Sequence, residues 1–261
     1  SAPLTDPEDD GFYLAENGVT VLCPDAAVDA TGLVDGTTYT KQDRTGLDNL
    51  LSTDPAGLEF ACTSGVTDMS DMFEDAAVFN VDIGSWDTGA VTNMNGMFDA
   101  AESFNQDIGF WDTSAVTDMS KMFNGARSFD GSIGSWDVSN VTDMYRMFRL
   151  ANSFNQNIGS WNTISVTGMD YMFNNARSFD QALSSWDTSS VTDMESMFAY
   201  ATEFNQPLDD WDTSGVTNMT GMFYSAESFN QPLGDWDTSG VTDMSFMFDS
   251  AAVFNQPLGD W

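Results

Sequence analysis

The sequence predicts an α/β repeat solenoid of eight 25-residue coils, each with one short strand and one short helix, behind an N-terminal cap. Three observations predict it. A 25-residue pattern runs from Val66 to Trp261 without an insertion or deletion, its apolar residues fall in fixed columns, and the first 65 residues lack it. A fixed period with no indels means that every copy takes the same shape, as in a solenoid whose coils each bury a face against the next.

Residues 1–65 come first. Phe12-Tyr13-Leu14 and Val19 to Leu22 flank Glu16-Asn17-Gly18, and Asn-Gly between apolar runs is a strong hairpin signal. A second hairpin is expected around Asp35-Gly36, and a short helix after Thr45 that includes Leu47, Leu50 and Leu51. A solenoid needs a terminal cap over its first coil, so 1–65 reads as an N-terminal cap and 66–261 as the repeat region. Both cysteines, Cys23 and Cys62, lie in the cap. They read as one disulfide, the alternative being two buried free thiols.

Each coil reads V-T-D-M-x-x-M-F-x-x-A-x-x-F-N-x-x-I-G-x-W-D-T-S-x. The two Met columns, Met69 to Met244 and Met72 to Met247, take all 16 Met, and the column Trp86 to Trp261 takes all 8 Trp. Met69, Met72, Phe73, Ala76 and Phe79 follow the stripe of a short amphipathic helix, with Asp68 as its N-cap. The segment Ile83 to Trp86 reads as the strand. Eight side chains per coil point inward, and they offset chain ordering only if neighbouring coils cover them. Met at this spacing is core filling, since no His or Cys in the repeats supports a metal or haem box. The chain stops at its eighth Trp, and more coils are expected beyond Trp261.

This pattern, as in Val216 to Ser239, resembles the 25-residue repeat of the BspA-like leucine-rich-repeat surface proteins of bacteria, also found in mycoplasma surface lipoproteins. The resemblance covers Val66 to Trp261. It implies a right-handed leucine-rich-repeat-like solenoid on a secreted or surface-anchored protein, a role in adhesion or partner binding, and no catalytic residues. Met and Phe stand where ordinary leucine-rich repeats carry Leu.

Composition narrows the function. Seven Lys and Arg stand against 41 Asp and Glu, a formal charge of −34, which repels phosphate backbones and anionic lipid heads. Nucleic acid and membrane insertion are therefore not expected. With no His and two Cys, the common general base, the common zinc ligands and any thiol–imidazole dyad are missing. A Lys-poor acidic surface suits salt, where screening relieves self-repulsion, so the expected setting is extracellular or the cell surface.

Function is sought where the copies differ. The five basic residues of the repeats, Lys121, Arg127, Arg146, Arg149 and Arg177, all fall in coils three to five, with Tyr145 and Tyr171. They read either as a patch for a protein or glycan partner on another cell or matrix, or as counter-charges to neighbouring Asp. A second candidate is the column Asp87, Asp112, Asp137, Asp187, Asp212 and Asp237, which would take structural calcium or form caps and turns. No other cofactor is expected. The column Thr67 to Thr242 reads as half-buried turn residues, the alternative being a row matched to a repeating surface. The expectation is a non-enzymatic binding or adhesion protein, with a structural spacer or stalk of a larger adhesin as the alternative.

Overall fold

The computed structural model describes residues 11–259 and 261. Strands β1 (Tyr13–Leu14) and β2 (Val21–Leu22) form the first hairpin. Asn17 ties its turn: Oδ1 accepts from the Val19 and Thr20 amides, both at 3.0 Å, and Nδ2 donates to Thr20 Oγ1. β3 (Thr31–Val34) and β4 (Thr37–Lys41) form the second, around Asp35 and Gly36 at φ 49° and 84°. Two left-handed residues in succession match the twist of paired strands. Helix α1 (Arg44–Thr53) starts where Asp43 accepts the Gly46 amide at 2.9 Å. It ends before Pro55, because the residue preceding a proline is pushed out of helical geometry. A 3-10 helix (Pro55–Phe60) leads into β5 (Ala61–Cys62), parallel to β4.

Cys23 and Cys62 are bonded, with Cα atoms 6.3 Å apart. Closing a loop of 39 residues in sequence removes enough unfolded-state entropy to stabilise this segment by about 4 kcal/mol. The segment lies on the first repeat. The Val21 amide donates to the Ser85 carbonyl, Trp86 Nε1 to the Leu58 carbonyl, and Arg44 to the Ser70 carbonyl, while Leu47 and Leu58 join the repeats' core.

The repeats stack in parallel register, each pairing with the next at the column Asp68, Asn93, Asp118, Asp143, Gly168, Asp193, Asn218, Asp243. The expected apolar columns form one continuous core. Aromatic rings stack along it: Phe73 on Phe98 at 5.3 Å, Phe79 on Phe104 at 5.9 Å and Trp86 on Trp111 at 6.5 Å between centroids. Each Trp indole donates to the carbonyl 28 residues earlier, at 2.8–3.2 Å. Burying Trp this deeply requires such a partner.

The expected helix and strand of each repeat are not there. Among the described residues the only α-helix is α1, and Ile83 to Trp86 forms a turn. The reason lies in the amide hydrogens. A helix bonds each N–H to the carbonyl four residues back. Here Met69, Asp71, Phe73 and Asp75 donate instead to Asn93, Asn95, Met97 and Asp99 of the next repeat, at 2.8–3.0 Å. The intervening Glu74 and Ala76 reach back three residues. The chain can alternate in this way because two columns turn left-handed: Asp71 and its seven equivalents at φ 52–61°, and Asp75 and its equivalents at φ 53–71°. Spacing on an apolar stripe is the same for a helix and for this turn, so the sequence pattern pointed to the wrong element.

Two polar ladders run between repeats. The residue at the Asn80 column accepts, through Oδ1, the backbone amide of its counterpart in the next repeat at 2.9–3.0 Å throughout. Asn and Asp interchange there because only the acceptor oxygen is used. Buried Thr88, Thr113, Thr163, Thr188 and Thr213 donate to a carbonyl of the following repeat at 2.8–3.0 Å. The other Thr column, Thr67 to Thr242, is exposed in all eight repeats and not half-buried as expected. Six of its hydroxyls, those of Thr92, Thr117, Thr142, Thr167, Thr217 and Thr242, bond the Thr carbonyl of the preceding repeat, which satisfies them at the surface.

Candidate binding face

The two left-handed columns, with the Ser70 and Glu74 columns beside them, form one variable wall. Lys121, Arg146 and Tyr171 occupy the first column in three successive repeats, Tyr145 precedes Arg146, and Arg149 lies three residues beyond it. A bulky side chain at positive φ costs about 1–2 kcal/mol where Gly would cost nothing comparable, and Gly96 and Gly221 show that the column accepts Gly.

The structure brings three of the expected residues into contact. The Arg146 guanidinium stacks on the Tyr145 ring at 4.6 Å and on the Tyr171 ring at 5.1 Å, and the two rings meet edge to face at 6.3 Å. Arg146 Nε is buried and has no hydrogen-bond partner among the described residues. The Tyr171 hydroxyl donates to Glu195, which with burial pushes its own pKa up to about 12. Asn218 holds the other side, donating to Asp193 and Glu195 at 3.2 Å. Asp170, between these carboxylates, is pushed up to about 6 by burial first and then by Asp193, Asp143 and Glu195.

The remaining basic residues stand apart from this contact. Arg149 reaches Asn124 Oδ1 at 3.4 Å, and Asn124 donates in turn to Asp99 at 2.6 Å. Burial raises the pKa of Asp99, and Asn124 and Lys121 pull it back. Arg127 and Arg177 are exposed; their backbones stack with Asn152 between them, where Ser153 donates to the Arg127 carbonyl and Ser178 to that of Asn152. Arg127 pairs with Glu102 at 3.4 Å, and Arg177 Nε donates to Asn175 at 3.1 Å. Of the five, only Arg127 lies within ion-pair distance of a carboxylate among the described residues, although the chain carries 41 acidic side chains.

The same wall continues past the residues the sequence singled out. Tyr200 and Tyr224 meet edge to face at 5.2 Å, and Phe246 is 66% exposed in the Lys121 column. All four Tyr of the repeats therefore lie on this wall. The signal was present in the sequence: each of these rings is an aromatic residue in a column filled mostly by small or polar ones.

The Asp87 column behaves differently. Asp87, Asp112, Asp137, Asp187, Asp212 and Asp237 each accept, through Oδ1, the backbone amide two residues on at 2.9–3.1 Å. Side-chain and backbone bonds from the following Ser hold Asp137, Asp187, Asp212 and Asp237 below the usual carboxylate range. These are turn-forming aspartates. Among the described residues no three His, Cys, Asp or Glu side chains group as metal ligands would.

The repeat that builds this wall is matched by the family described as "Mycoplasma protein of unknown function, DUF285", over residues 52–158, 105–201 and 180–261. The chain belongs to this family. The overlapping matches take in the whole repeat region and the end of the segment that covers it. No curated protein and no solved structure matches the chain. No helix among the described residues is long and apolar enough to cross a membrane.

Proposed function

We propose that this member of the family is a non-enzymatic extracellular or cell-surface protein whose repeats form a leucine-rich-repeat-like solenoid of the BspA-like kind. Residues 1–65 act as its cap, and its variable wall binds a protein or glycan. One observation carries the reading. In a chain of charge −34, four of the five repeat-region cations have no carboxylate within ion-pair distance among the described residues, and the Arg146 guanidinium is held between two tyrosine rings. Counter-charges would sit against Asp. Cations displayed on an aromatic wall present donors and ring faces to an acidic or hydroxyl-rich partner. The left-handed backbone adds support, since Lys121, Arg146 and Tyr171 occupy positions where Gly is the less strained choice. The Cys23–Cys62 disulfide and the family match are compatible with an oxidising, external setting.

The test is an array of acidic and neutral glycans and matrix proteins, probed at physiological salt with the wild type and with the triple variant Tyr145→Ser, Arg146→Gly and Tyr171→Gly. These replacements are residue types already present in the same columns, at Ser120, Gly96 and Gly221. A ligand captured by the wild type and lost by the variant supports the reading. Equal capture by both, or none by either, overturns it.

A further inference from the structure

A second surface lies on a different wall, where Asn17 of the first hairpin approaches the second and third repeats. There a groove of about 550 Å³ is lined by Asp107, Phe110, Asp112, Ser135 and Asp137. Phe110 is half exposed. Its column holds Ser85, Ser135, Ser160 and Ser185, then Asp210, Asp235 and Asp260, so no packing demand of the repeat calls for an aromatic ring.

The polar groups around the ring settle what it could receive. Trp111, Thr113 and Ser135 donate to carbonyls of the chain itself, and the Asn17 amide donates to Thr20. Asp107, Asp112 and Asp137 each use Oδ1 in their own turns. Their Oδ2 atoms have no hydrogen-bond partner among the described residues, and no Lys or Arg lines the groove. The surface therefore offers carboxylate acceptors beside an open ring face.

We propose that this groove binds a lysine or arginine side chain of a basic partner segment, with the cation over the Phe110 ring and its N–H groups on the carboxylates. The site is independent of the variable wall. The charge favours a cation over a neutral sugar, and the ring supplies what general acidity does not.

The test must separate this site from the attraction of any cation to the whole acidic chain. Phe110→Ser serves, because it leaves the charge at −34 and installs a residue that four other repeats carry. A capped pentapeptide, Gly-Gly-Arg-Gly-Gly, is titrated into isotopically labelled protein in 150 mM salt, with the Gln-centred peptide as control. The expected result is shifts of the amides of 107–113 and 132–137 with the Arg peptide only, and affinity weakened about three- to fivefold by Phe110→Ser. Equal affinity for wild type and variant, shifts spread along the chain, or an equal response to the Gln peptide would each overturn the proposal.

Discussion

Lys121 shows at the scale of one residue what the repeat demands. In a surface helix, replacing Lys with Gly costs about 1 kcal/mol. At φ 57° the sign changes, because Gly relieves the contact between Cβ and the backbone while losing more entropy in the unfolded chain. Lys121→Gly is expected to leave stability unchanged or raise it by up to about 1 kcal/mol, measured by denaturant unfolding. Asp170 makes a second, independent prediction. Its pKa of about 6 lies above its unfolded value, so the native state holds the extra proton. The contribution is fully present below the unfolded pKa near 3.8 and lost as pH rises through about 6. Asp170→Asn should therefore be more stable than wild type at pH 7.5, by about 1–2 kcal/mol once solvent screening is allowed for, and the gain should vanish near pH 3.5.

At the scale of the element, much of the molecule was legible. Asn-Gly and Asp-Gly marked the two hairpins, the Leu spacing marked α1, and the fixed columns marked the stack and its core. The helix of each repeat was misread for a physical reason: hydrophobic spacing reports which side chains face inward, not where their amides bond. A partial clue lay in the left-handed columns, where Asp71, Asp75, Gly96, Gly125, Asn175 and Gly221 are residue types that tolerate positive φ, while Lys121, Arg146, Leu150 and Tyr171 in the same columns are not. Of the candidate site, the residue types were legible, but not the stacking of Arg146 between Tyr145 and Tyr171, which depends on the offset between neighbouring repeats. The Thr88 column gives a prediction here. Val138 stands where the other repeats place a Thr whose hydroxyl donates to the next repeat, as Thr113 does at 2.9 Å. Val138→Thr restores that bond and should raise stability by about 0.5–1.5 kcal/mol in equilibrium unfolding.

At the scale of the whole molecule, charge and strain oppose the stack, and the aromatic core and inter-repeat bonds hold it. A net charge of −34 implies self-repulsion that salt screens, so the unfolding midpoint should rise from 0.05 to 0.5 M sodium chloride. With the Asp87 column serving its own turns, calcium should raise the midpoint no more than sodium chloride of equal ionic strength; a larger rise would make that column a metal site. On the proposed reading, Tyr145, Arg146 and Tyr171 are kept for a partner and not for the fold. It is tested most directly by the thermal midpoint of the Tyr145→Ser, Arg146→Gly, Tyr171→Gly variant, which needs no ligand. Relief at two left-handed positions should offset the lost ring contacts, so a midpoint equal to or above that of the wild type is expected. A midpoint lower by several degrees would contradict that reading, making the three residues a brace between repeats.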